Sequence, residues 1–226
     1  RINQKRWAAL AARRQQEAYN RFVERFEKEF RFKIGASCPT LKEDFDKLVY
    51  LVGLASGMQA IVNDIAAQGV VGVPKDIAAI VERGMACLDN AEYWGVPMAT
   101  RAAVWSLLPG ASEGKPDPFT VMKDSTRVGE RKGVRLAHAI YALSAQAKGD
   151  EALLRDALKT YGAANNMAVN PQYRLLDALG GMMVQTISDR YWTEKTGTRT
   201  PEDGYTKFWD DKPSAEGTGV SIDDLL

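Results

Sequence analysis

Residues 145–181 read AQAKGDEALLRDALKTYGAANNMAVNPQYRLLDALGG, and the local signals in them run helix, tight turn, helix, proline stop, helix. Gly149-Asp150 makes the turn and Pro171 the stop, because proline has no amide hydrogen with which to continue a helical ladder. The flanks follow the same pattern. RKGVRLAHAIYALSAQAKG before it and QYRLLDALGGMMVQTISDRYW at its end are further helical segments, and no segment alternates for long enough to make a strand. The chain is therefore expected to be all-α, an antiparallel helical bundle or short α-solenoid.

Upstream, residues 3–33 place Trp7, Leu10, Ala11, Ala18, Phe22, Phe26 and Phe30 mostly three, four or seven apart, with charges on the other face. This predicts an amphipathic helix. At about 1.5 Å per residue it would run about 45 Å, longer than a compact domain of this size needs, so residues 1–34 are expected to form an extended arm. GASCP ends it. Thr40 and Glu43 have capping-box spacing for a helix reaching about Ala67, Pro74 opens another with Ile77, Ile80, Val81, Met85 and Leu88 in one stripe, and Pro97 opens a third. PGASEGKPDPF, residues 109–119, is the main internal boundary, with a short helix expected near 120–126. It separates a first helical half, 35–110, from a second, 119–200, which an acidic tail, 201–226, follows. The halves rhyme through Pro97 and Pro171 and through Tyr93-Trp94 and Tyr191-Trp192, which fits either an internal duplication or the ordinary repetition of helical hairpins.

Gly149-Asp150, the spacing of Ala157, Tyr161 and Ala164, and Asn170-Pro171 together resemble a tetratricopeptide repeat over residues 136–181. The resemblance implies two closely packed helices that stack on neighbouring units and present a surface to a partner protein. The spacing departs from the family: Ala157 stands about three residues too far from the turn, Pro171 about two too late, and the first helix lacks the aromatic and Leu-Gly positions. A general antiparallel hairpin accounts for the same residues, and it too presents stacked helices.

The chain has 226 residues, 45% hydrophobic and 26% charged, with net charge +1, enough for a sizeable core and without a global reason to expect nucleic acid or membrane. Cys38 and Cys87 lie outside any zinc-ligand spacing. Paired, they suit a periplasmic or secreted protein; free, a cytosolic one. The chain opens inside a helical pattern without methionine, which points toward export, with an upstream signal or membrane anchor as the expectation. The most apolar stretch, LVYLVGLASGMQAIV at 48–62, is shorter than the roughly 20 residues a membrane span needs. It reads as a central helix buried on all sides, with Gly53 and Gly57 admitting a close neighbour.

Motifs for catalysis are missing: there is no HExxH, GxSxG, GxxxxGK[ST] or GxGxxG, and the single histidine, His138, sits between apolar neighbours as a core residue. No cofactor or metal is expected, and the chain is read as non-enzymatic. RVGERKGVR, 127–135, is one compact basic cluster whose Arg131, Lys132 and Arg135 form a candidate anion site at a helix start. Charge is otherwise polarised, with ten Lys/Arg against four Asp/Glu in residues 1–33 and two against seven in 202–226. The leading expectation is a scaffold or adaptor subunit that grips protein partners, or further copies of itself, through Trp7, Phe22, Phe26 and Phe30 of the arm and Asp210, Asp211, Asp223 and Asp224 of the tail. The alternative is a module binding an anionic ligand or nucleic acid through the arm and the 127–135 loop. A third reading is an enzyme that holds a small ligand in an aromatic cleft of Tyr93, Trp94, Trp105, Tyr191 and Trp192.

Overall fold

The computed structural model describes residues 2–108 and 110–211. Eight α-helices pack against one another and no strand occurs among the described residues, so the all-α reading holds. They are α1 (Ile2–Phe30), α2 (Asp44–Ala66), α3 (Asp76–Met85), α4 (Val96–Leu107), α5 (Pro118–Lys132), α6 (Leu136–Lys148), α7 (Glu151–Ala163) and α8 (Arg174–Thr196), with a 3₁₀ turn at Pro171–Tyr173.

Helix α1 is a long helix but not a free arm. It lies antiparallel against α2 along its length, from Lys5, which donates to Gln68, through Gln15 between Gln59 and Asn63, to Phe26 on Tyr50. The two glycines of α2 make this possible: a Cβ on Gly53 would fall 2.5 Å from the Phe22 ring, and one on Gly57 2.7 Å from that of Tyr19. Removing two side chains from one helix face lets two aromatic rings sit against backbone.

Helix α2 is long and apolar enough, by length and composition, to cross a membrane. It is buried against α1 and α3 through Tyr50, Leu51, Leu54, Met58 and Ile61. The expectation of burial on all sides fails, because Phe45 and Val52 on its remaining side are 72% and 50% exposed. The Cys38–Cys87 bond ties the α1–α2 connection to the end of α3, settling the open choice between paired and free thiols. Closing a loop of that sequence separation, 49, restricts the unfolded chain by about 4 kcal/mol.

Two apolar clusters result. One joins α1, α2 and α3 with part of α4; the other joins α4 to α8 with Phe208. Helix α4 serves both, with Val96 and Val104 in the first and Ala99, Ala102 and Trp105 in the second.

Helix α5 is longer than the short helix expected at 120–126. Asp117 accepts a hydrogen bond from the Thr120 amide at its start, and Gly133, at φ +75°, ends it in the left-handed conformation that glycine adopts without a Cβ penalty. A side chain there would also strike the 168–170 backbone, since a Cβ would lie 2.6 Å from the Asn170 amide. Gly149 caps α6 in the same left-handed way, and Asp150 accepts from the Leu153 amide to start α7.

Candidate functional site

Of the arm residues, Phe26 is buried, and Phe22 and Phe30 pack beside it on the α1–α2 core, with ring centroids 5.1 Å and 4.5 Å from that of Phe26. Their apolar faces are spent inside the chain, so they do not reach outward as the sequence reading proposed. Trp7 differs: it is 69% exposed. Around it Arg6, Arg13 and Arg14, and further along Arg25, Lys28 and Arg31, are exposed without an ion pair among the described residues.

The described part of the tail, residues 201–211, turns back onto the body of the chain. Phe208 is buried, its ring stacked 6.2 Å from Trp192, and the Trp192 indole N–H donates to the Gly204 carbonyl. Arg155 of α7 holds this segment. Its guanidinium donates to both oxygens of Asp210 at 2.7 Å and 2.8 Å, to the Tyr191 hydroxyl at 2.6 Å and to Glu151 at 2.9 Å, and it lies 4.8 Å and 5.0 Å from the Phe208 and Trp209 rings. Lys195 and the Tyr191 hydroxyl also donate to Glu151, and this pull on the ionised form brings its pKa down to about 2. Asp211 accepts from the Phe208 amide and lies near Lys159. Asp210 and Asp211 are thus matched by cations of α7 and not by the basic arm. Asp223 and Asp224 lie outside the described residues.

Of the three residues of the proposed anion site, Arg135 is already engaged by a carboxylate of the same chain. Arg131 and Lys132 form the last turn of α5, the electronegative end of a helix, where cations are favoured and no amide groups point at a ligand. Arg135 precedes α6, and Asp177 from α8 accepts from its backbone amide at 2.8 Å, from Nε at 3.0 Å and from Nη2 at 2.6 Å. Burial works against the charge on Asp177, yet the Arg135 hydrogen bonds prevail and hold its carboxyl below the ordinary range. The guanidinium also lies 5.4 Å from the Tyr161 ring.

His138 is the buried core residue expected. Its Nε2 lies 3.0 Å from Glu130 on α5, its ring meets Tyr161 of α7 edge-on, and Arg135 and Asp177 complete the charged surroundings. Burial, then Arg135, lowers its pKa to about 4, so at neutral pH the ring is uncharged and Nε2–H donates to Glu130. The unfolded chain protonates this histidine near pH 6.5, the folded one only near 4, so acidification favours unfolding across that interval. Between pH 7 and pH 5 stability is expected to fall by about 2 kcal/mol, while carboxylate protonation contributes mainly below that range. His138 is the only histidine, so His138→Gln should flatten this interval in urea unfolding at the two pH values; an equal slope in both proteins would disprove the assignment.

The aromatic cleft does not form as one site: Tyr93 and Trp94 lie in the first apolar cluster and Trp105, Tyr191 and Trp192 in the second. No group of three or more His, Cys, Asp or Glu is arranged to hold a metal among the described residues.

The surface that sequence reading missed is on α8. Leu175, Leu179 and Met182 recur at four and three, and they are 73%, 45% and 66% exposed in a single ridge. Their spacing is that of a core stripe, which is why nothing in the sequence separates them from Val184 and Ile187, both buried on the same helix. No family model, no characterised protein and no solved structure matches this chain.

Proposed function

We propose that this chain is a helical scaffold or adaptor subunit, and that it engages a protein partner through the ridge of Leu175, Leu179 and Met182 on α8, with the basic outward face of α1 around Trp7 as a second contact. The ridge carries the proposal. Adjacent exposed apolar side chains on one rigid helix face are the mark of a surface that another protein covers, and α8 is rigidly set: Asp177 pins its first turn, and Tyr191 and Trp192 are buried at its far end. The resemblance of 136–181 to a tetratricopeptide unit supports the same reading, because the helix after such a hairpin presents the face on which the next unit stacks. The unpaired cations of α1 favour a partner with an acidic surface. They are also what survives of the polyanion reading, which the engagement of Arg135 by Asp177 weakens. A paired Cys38 and Cys87 favours an oxidising compartment such as the periplasm.

Leu179→Asp tests the ridge. The site is already half exposed, so the melting temperature should stay within about 2 °C of the parent. In native extracts of the source organism the parent should migrate with a larger assembly and the variant as the smaller free protein. Identical migration of both would refute the ridge as the contact.

A further inference from the structure

A different surface, the open side of α2, points to self-association. Phe45, Val52, Gln59 and Ala66 recur every seven residues along it and are all exposed, Gln59 at its edge accepting from Gln15 of α1, and half-buried Leu48, Val49, Ala55, Ser56 and Val62 flank them. This is a seam about three heptads long, on a helix with α1 on one side and α3 on the other.

We infer that this face is the contact between two copies of the chain, packed with their α2 helices antiparallel about a twofold axis between Ala55 and Ser56. The seam is self-complementary under that operation. Reversing it about its centre sets Phe45 of one copy against Ala66 of the other, a large side chain on a small one, Val52 against Gln59, and Val49 against Val62, while Ala55 and Ser56 meet at the middle and let the helices approach. Charge agrees. Asp44 and Asp46 open α2, Asp44 bridged to Lys47 of the same helix and Asp46 without an ion pair among the described residues, and Lys5 and Arg6 of α1 lie at its other end, where Lys5 donates to Gln68. The antiparallel arrangement brings Asp46 of each α2 to the level of Lys5 and Arg6 in the second copy. The result is a four-helix bundle made from two α1–α2 hairpins.

The test uses the full chain in non-reducing buffer, so that Cys38 and Cys87 stay bonded. Sedimentation velocity should show a dimer at tens of micromolar, and Val52→Glu, which buries two unpaired carboxylates per dimer, should raise the dissociation constant at least about a hundredfold with the helical circular dichroism unchanged. Ser56→Cys should form a disulfide-linked dimer on mild oxidation. Phe45→Cys should not, because the two copies of residue 45 stand about 30 Å apart in the antiparallel arrangement. The inference is overturned if the chain stays monomeric at 100 µM (a concentration of about 10⁻⁴ M), if Val52→Glu leaves the dimer intact, if Phe45→Cys links as readily as Ser56→Cys, or if a monomeric chain instead pellets with lipid vesicles. None of these results depends on Leu179, so the α8 ridge stands or falls separately.

Discussion

Asp177→Ala is expected to destabilise the protein by about 3–5 kcal/mol, the cost of breaking a buried ion pair from one side. The substitution removes three acceptor contacts together: the Arg135 amide at the start of α6, Nε and Nη2. It leaves the guanidinium, 14% exposed, beside the Tyr161 ring with no counter-charge. Neighbouring backbone is too close to move aside, since even a Cβ on Gly180 of α8 would lie 3.1 Å from the Arg135 carbonyl. Asp177→Asn, which keeps an oxygen for the amide and loses the charge, should fall between parent and alanine variant. Replacing both partners, Arg135→Met with Asp177→Leu, should recover much of the loss, because an apolar pair carries no desolvation penalty. Urea midpoints of the four proteins check the ordering. An alanine variant within about 1 kcal/mol of the parent would mean that α8 is held to α6 by its apolar residues alone.

That ion pair shows where legibility in the sequence ends. Helical periodicity, the Pro and Gly stops and the absence of alternation were sufficient for the all-α fold, and the GxxxG spacing of Gly53 and Gly57 announced a close helix neighbour, which α1 supplies. Those signals are local, set by backbone geometry within a few residues. The pairing of Arg135 with Asp177 spans 42 positions, and nothing in either neighbourhood names the other. Its consequence is that Arg135, read from the sequence as part of an anion site, is a satisfied structural centre. The tail misled in the same way: Asp210 and Asp211 were visible as an acidic excess, but the cation that claims Asp210, Arg155, is 55 residues away on α7. Exposed and buried apolar stripes obey one spacing rule, so the ridge on α8 and the seam on α2 became distinct from core only once the packing of their neighbours was known. The length of α1 was read correctly and its placement was not, because amphipathicity says that a face is covered without saying by what.

The placement of α1 makes a prediction whose sign separates the two readings. Gly53→Leu is expected to lift α1 from α2 and cost on the order of 4 kcal/mol or more, since Tyr19, Phe22 and Phe26 lose much of their burial at roughly 1.5–3 kcal/mol each when complete. The Phe22 ring cannot retreat from the added side chain, as Tyr19, Phe26 and Tyr50 surround it with centroids 6.3, 5.1 and 6.1 Å away. Trypsin should then cut rapidly at Arg13, Arg14 and Arg21, exposed on a helix that no longer has a support, and Phe22→Ala in the same chain should restore part of the stability by making room. If α1 were instead a free arm, leucine in place of an interior helical glycine would raise helix propensity and stabilise by somewhat under about 1 kcal/mol, with tryptic cleavage of residues 2–30 equally fast in both proteins. Two opposite signs from one substitution leave little room for compromise, and they bear on the proposed partner contact as well: only an α1 fixed along α2 would hold Trp7 and its surrounding arginines in the constant position that the proposed acidic partner requires.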